Sequence, residues 1–178
     1  ERCLCCSACN PSGKGGDLYE VRAACAHALR DYLRCNSGKL GIDTSRVRAV
    51  LCRRLLPGGS SEKHRYCVKL VLETLTLLGV VDDNNHNSGT SVDSALLGQL
   101  WARSEELMEN DLLRPAGLVF LGAVARAWPG GKPPRWAALA EACRRCSEPA
   151  AVVSDRLAVV EALRLVLANP SAAPEVAR

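Results

Sequence analysis

Read from its N-terminus, the chain places apolar residues in seven helix-length blocks separated by short polar or Gly/Pro-rich breaks. In the first block Asp17 offers an N-cap, and Val21, Cys25, Ala28, Leu29 and Tyr32 follow at i, i+4, i+7, i+8 and i+11, the spacing that lines one face of an α-helix. The pattern predicts a helix over about 18–35, stopped by Asn36-Ser37-Gly38. Asp43 or Thr44 caps a second helix with Val47, Val50, Leu51 and Leu55 inward, ended by Pro57-Gly58-Gly59. Ser60 or Ser61 caps a third, with Val68, Val71, Leu72, Leu75 and Leu78 inward.

After the polar, amide-rich stretch 80–91, Ser91 opens a fourth helix through Leu96, Leu100, Trp101, Leu107 and Met108. Pro115, tolerated where a backbone N–H has no helical partner anyway, opens a fifth with Leu118, Leu121, Val124, Ala125 and Trp128. Gly130-Gly131 ends it, and Pro133-Pro134 opens a sixth through Trp136, Leu139 and Ala140. Ser154 caps a seventh, where Leu157, Val159, Val160, Leu163, Leu165, Val166 and Leu167 leave only narrow polar stripes at Arg156, Glu161 and Arg164. A helix apolar on most of its circumference needs cover on several sides, as stacked helices provide.

The expected class is therefore all-α, an α-solenoid of HEAT/armadillo-like antiparallel helix pairs. Second helices of successive pairs start near 18, 62, 116 and 154, straddling the roughly 40–47 residues of such repeats, with the long interval explained by the 80–91 insertion. The expected layout is a Cys/Gly-rich flexible segment over 1–16, helical repeats over 17–170 and a disordered tail over 171–178. The chain opens on Glu1 and holds one Met, the pattern expected of an excised segment.

Composition agrees with helix: 48% of residues are apolar but only 4% aromatic, and a β-sandwich would want more. No apolar run approaches the roughly 20 residues that span a bilayer. The net charge of +4 is mild, but its distribution is uneven, +7 over residues 1–70 and −3 over 71–178. Arg46, Arg48, Arg53 and Arg54, then Lys63, Arg65 and Lys69, form the main basic cluster, with Arg144 and Arg145 a smaller one. Helical spacing puts several on one outward side, where they could meet phosphates, and the candidate binding face is Arg46, Arg53, Arg54, Lys63 and Arg65. A solvated face with acidic neighbours such as Glu62 is the ordinary alternative.

Ten cysteines invite a metal reading, since Cys3, Cys5, Cys6 and Cys9 crowd together and Cys143 and Cys146 form a C-x-x-C. The pair at 143 and 146 falls in a predicted helix, and no second pair follows at finger spacing, so free thiols are expected. Ser12-Gly13-Lys14-Gly15-Gly16-Asp17 lacks the spacing of a phosphate loop. Asp83, Asn85 and Asn87 imitate the start of a calcium loop, but Ser88 and Ser94 stand where Gly and the bidentate Glu are required. His27, His64 and His86 are far apart in sequence, and none adjoins a nucleophile motif. No catalytic group, cofactor, metal or small-molecule ligand is expected.

Several stretches, taken in order, resemble one family. They are the Glu20-Val21-Arg22 helix with Ala28-Leu29, the Lys63 to Leu78 helix around Cys67 and Leu72, and the Trp136 helix with its Cys146-Ser147-Glu148 turn. The most specific is Ser154-Asp155-Arg156-Leu157-Ala158-Val159-Val160-Glu161-Ala162-Leu163, running on to Asn169-Pro170. Together they resemble the C-terminal region of the thyroid adenoma-associated protein family over most of 17–172. The resemblance implies a cytoplasmic armadillo/HEAT-type protein, the non-catalytic partner of a tRNA ribose 2′-O-methyltransferase that modifies nucleotide 32 of the anticodon loop. It implies that catalytic subunit as partner, with tRNA as a second one, and leaves the methyl-donor site to the enzyme. The family's central Arg-Arg-Ser-Ala-Gly-Leu-Pro signature has no counterpart here, so no individual site transfers to a numbered position. A generic α-solenoid adaptor that binds only proteins would use the same helix pattern.

Overall fold

The computed structural model describes residues 19–35, 43–58, 61–80, 94–129 and 135–168. Among them are seven α-helices and no strand, so the fold class is all-α. The expected 1–16 segment with its Cys3 to Cys9 cluster, residues 81–91 of the insertion and the 171–178 tail lie outside the described residues. The chain divides into two compact units, residues 1–78 and 79–178.

The first unit holds α1 (Tyr19–Cys35), α2 (Thr44–Leu55) and α3 (Arg65–Leu78). Asp43 starts α2 as the sequence predicts, its carboxylate accepting the Arg46 N–H at 3.1 Å and the Ser45 hydroxyl at 2.6 Å. At the other end Leu56 is extended, as the residue before Pro57 must be. Gly79, at φ 73°, takes the left-handed conformation that closes α3. Both α1 and α2 pack on α3. The α1 seam is lined by small side chains, Ala23 and Ala26 against Cys67 and Leu70, with Tyr19 at its edge. Leu51, Leu55, Leu72 and Leu75 are fully buried.

Two expectations fail in this unit. Helix α3 does not start at Ser60 or Ser61, because Ser61 to His64 are non-helical. The cause is Glu62, whose carboxylate turns inward to Arg22 and accepts the N–H groups of Lys63 and His64 on the way. The apolar face of α1 is also misassigned. The structure buries Arg22, Ala23, Ala26 and Leu33, leaving Val21 and Tyr32 each 40% exposed. Alanine is a poor hydrophobic marker, so the larger residues set the periodicity while the small ones make the closest contact.

The second unit holds α4 (Ser94–Met108), α5 (Arg114–Arg126), α6 (Trp136–Ser147) and α7 (Val153–Leu167). Helix α5 carries Pro115 in its first turn and packs against α4, α6 and α7, while α6 also packs on α7. Its residues from Gly117 to Ala125 are buried, apart from half-buried Val119. The crossing with α7 is close because Gly122 sits on Ala162. Trp101 meets Trp128 edge-to-face at 6.1 Å and donates its indole N–H to Glu105.

Helix α7 differs from expectation at both its start and its cover. It begins at Val153, preceded by Val152 with no side-chain cap, so Ser154 is not the N-cap. It buries Ala158, Val159, Ala162, Leu165 and Val166 but leaves Leu157, Val160 and Leu167 exposed at 65%, 66% and 51%. Half of a helix that reads as apolar all round is therefore uncovered.

Candidate nucleic-acid interface

The basic face lies entirely in the first unit. Helix α2 contains no acidic residue, and the first turn of α3 has none either. Val47, Leu51, Cys52 and Leu55 turn one side of α2 into the core, which directs Arg46 and Arg53 outward, seven residues and two turns apart on one stripe. Arg53 lies along the helix surface, its Nε donating to the Ala49 carbonyl at 3.4 Å. Arg54 is half-buried beside this stripe.

The connection into α3 folds back on the end of α2, since the Glu62 N–H donates to the Arg54 carbonyl at 2.8 Å. That bond holds the neighbouring Lys63, which is exposed, close to the last turn of α2, and Arg65 is exposed at the first position of α3. The structure thus gathers Arg53, Arg54, Lys63 and Arg65 around one helix corner and sets Arg46 further along α2. Arg48 leaves the face: it is half-buried and donates to the Leu78 carbonyl at 3.3 Å.

Glu62 is the residue whose placement most changes the electrostatics. Sequence adjacency made it the natural neutraliser of Lys63 and Arg65. Instead its side chain and that of Arg22 are each 7% exposed and form a two-bond pair, at 2.8 Å through Nε and 3.2 Å through Nη2. The expected acidic neighbour is turned inside and paired with Arg22, so Glu62 does not neutralise Lys63 or Arg65 at the surface. Asp43 is at the opposite end of α2, where its cap bonds from the Ser45 hydroxyl and the Arg46 N–H hold its carboxyl below the usual range. The smaller cluster is different: Arg144 pairs with Glu141 and Glu148 on its own helix surface.

The seam between α1 and α3 brings together groups that are distant in sequence. His27 and Tyr66 meet at 2.6 Å, and Arg30 reaches the other ring nitrogen of His27 at 2.8 Å and Glu73 at 2.6 Å. A guanidinium can only donate, so His27 Nδ1 accepts and its Nε2–H donates to the Tyr66 oxygen. His64 stacks on Tyr19 at 3.9 Å, with its Nδ1 buried and unpartnered among the described residues. No motif announced these contacts across the α1/α3 seam, which join residues 39 to 45 positions apart.

The cysteines behave as small apolar residues. Among the described residues no cysteine is in a disulfide, and no cluster of His, Cys, Asp or Glu is arranged to hold a metal. Cys143 and Cys146 are both buried on one side of α6. Burial, reinforced by the neighbouring Cys146, pushes the Cys143 thiol up to about 11, and burial does the same to Cys52. Low-pKa thiolates are the reactive and metal-binding form, so these two are poorly suited to either role. No described helix is long and apolar enough to cross a membrane.

Compared with known proteins, the chain matches no family model, no curated protein and no solved structure.

Proposed function

We propose that this chain is a non-catalytic scaffold segment of a stacked helical-repeat protein, the partner of a tRNA ribose 2′-O-methyltransferase, and that the Arg53/Arg54/Lys63/Arg65 corner contributes phosphate contacts to the tRNA. One observation carries the stacked-repeat part. Arg22 on α1 pairs with Glu62 just ahead of α3, and Arg114 on α5 pairs with Asp155 on α7, so an arginine reaches an acid 40 residues on in one unit and 41 in the other. In both units the paired helices are alternate ones, separated by a single intervening helix. An arginine–carboxylate pair at a near-constant interval, although two-bonded and buried in one unit and a single 3.3 Å bond in the other, is what a repeated helix pair of about that length produces. The family and the enzyme partner rest on the residue likenesses that culminate in Ser154 to Leu163. The RNA contact rests on an α2 free of acidic residues between its Asp43 cap and its end, where the adjacent Glu62 is turned inward to Arg22.

An RNA held by shape and phosphates should show a steep salt dependence. Changing Arg53 and Arg54 together to Glu should weaken tRNA binding and lower the slope of log affinity against log salt by about 1.5 to 2. Unchanged affinity and slope would remove this corner from RNA contact. Co-purification of the methyltransferase subunit with the chain tests the partner directly. A second reading, an adaptor that binds only proteins, draws support from the uncovered half of α7.

A further inference from the structure

Tyr66, the second residue of α3, is a large aromatic side chain that the core does not use. The α1/α3 seam is filled by Ala23, Ala26, Cys67 and Leu70 with Tyr19 at its edge, and Tyr66 stays 38% exposed. A ring on a helix surface ordinarily keeps rotamer freedom, which a ligand stacked on it would have to remove. Here a series of side chains removes it beforehand. Glu73 and Asp31 accept from the guanidinium of Arg30 at 2.6 Å and 3.2 Å, Arg30 donates to His27 Nδ1 at 2.8 Å, and His27 Nε2–H donates to the Tyr66 oxygen at 2.6 Å. The imidazole lies 5.6 Å from the Tyr66 ring and is tilted by 50° to it, so it ties the ring down without stacking on its face.

The tethered ring stands among cations. Lys63 and Arg65 are exposed just ahead of it and Lys69 is half-buried one turn along α3. None of their charged groups has a hydrogen-bond or ion-pair partner among the described residues. Of the nearby carboxylates, Glu62 pairs with Arg22, and Glu73 and Asp31 pair with Arg30, while Glu20 is exposed in the first turn of α1. An aromatic face flanked by lysine and arginine is the combination that takes up a single nucleic-acid strand, the cations following the phosphates and the ring receiving a base. A duplex cannot use such a ring, because its bases are already stacked on one another.

We propose that Tyr66 is a stacking platform for one unpaired base of a single-stranded RNA segment whose phosphates lie on Arg53, Arg54, Lys63 and Arg65. The inference rests on the phosphate-binding role of that corner. It adds what phosphate contacts alone do not give, a preference for unpaired RNA over duplex.

The test is equilibrium binding of the whole chain to a short RNA without self-complementarity, carrying one fluorescent aminopurine base between uridines, with the fully paired duplex of the same length as comparison. Aminopurine loses fluorescence when it stacks on an aromatic ring, so a quench on binding reads the stacking itself. The single strand should bind more tightly than the duplex and be quenched. Tyr66→Leu should abolish the quench and weaken single-strand binding at least about fivefold, with duplex binding and the salt slope unchanged because the ring carries no charge. Tyr66→Phe keeps the ring and should retain most of the affinity and the quench. Changing Arg53 and Arg54 together to Glu should instead lower the salt slope for both RNAs. Tyr66 is exposed, so both of its variants should keep the helical circular dichroism of the parent. A Tyr66→Leu variant with the parent's affinity and quench overturns the platform while leaving the phosphate corner in place. So does a Tyr66→Phe variant as weak as Tyr66→Leu, or a parent that binds the duplex as tightly as the single strand. Indifference of both RNAs to the Arg53 and Arg54 change removes the corner, and the platform with it.

Discussion

The crossing of α5 and α7 makes a prediction that one methyl group can test. A Cβ added at Gly122 would lie 2.8 Å from both the Cα and the carbonyl oxygen of Ala162, inside any contact that real Cβ atoms make. The obstruction is helix backbone, and Ala162 is fully buried, so no side chain can swing aside. Restoring ordinary contact requires the two helices to separate by roughly 0.6–1 Å, and a gap of that size forfeits about a quarter to a half of the dispersion energy of each atom pair it opens. Overpacking of this kind costs about 1–3 kcal/mol, and a backbone obstruction belongs at the upper end. Against this, replacing helical glycine by alanine returns about 1 kcal/mol of propensity. Gly122→Ala should therefore destabilise the second unit by about 2 kcal/mol.

Gly98 supplies the control, since it lies within α4 with nothing inside 4 Å of an added Cβ. Gly98→Ala keeps the propensity gain without the clash and should stabilise by about 0.5–1 kcal/mol. The same chemical change thus acquires opposite signs at two sites, with a gap of about 3 kcal/mol between them. Trp101, Trp128 and Trp136 all belong to the second unit, so tryptophan fluorescence during urea unfolding reports on that unit alone. If Gly122→Ala proves as stabilising as Gly98→Ala, the close crossing is wrong and with it the described packing of α5 on α7.

Further outcomes follow from the buried charges and thiols. Glu62→Ala removes the carboxylate that pairs with buried Arg22 and should cost the first unit about 3–5 kcal/mol, while replacing both by apolar residues of similar size should recover most of that loss, as measured by urea unfolding followed by circular dichroism. Arg114→Met should weaken the second unit by about 1–3 kcal/mol, because Asp155 is buried and one of its oxygens already lacks a hydrogen-bond partner among the described residues. Cys52 and Cys143 titrate near 11 in the folded chain against 9.0 for an ordinary thiol, and the raised value belongs to the folded state. Their contribution to stability is complete below pH 9 and is lost as pH rises through 11, so urea midpoints should fall over that window and the fall should shrink in a Cys52→Ala, Cys143→Ala variant. At pH 8 a thiol reagent should modify exposed Cys35 much faster than either buried thiol.

How far the fold is legible in the sequence depends on what kind of signal each element carries. Helix α2 reads correctly at both ends, because Asp43 caps it and Pro57 forbids its continuation, and both effects act within a few residues. Pro115 marks the start of α5 for the same reason. The start of α3 is misread because Ser60 and Ser61 are good local caps, yet Glu62 has a partner on another helix, and residues 61–64 stay outside the helix. The basic corner is half legible: spacing identifies Arg46 and Arg53 as one stripe, but the inward turn of Glu62 and the withdrawal of Arg48 depend on contacts 40 and 30 residues away.

Local chemistry, acting over one or two helical turns, is enough to establish the all-α class of the described residues, most helix limits and the core character of Cys52, Cys67, Cys143 and Cys146. Which side of α1 meets α3, how closely Gly122 lets α5 approach Ala162, and which half of α7 stays bare are decided only when the helices come together. The physical reason is that hydrophobic spacing reports the position of large side chains along a helix. The closest helix contacts here form where side chains are smallest, and the bond that relocates Glu62 depends on an arginine that no local pattern can see.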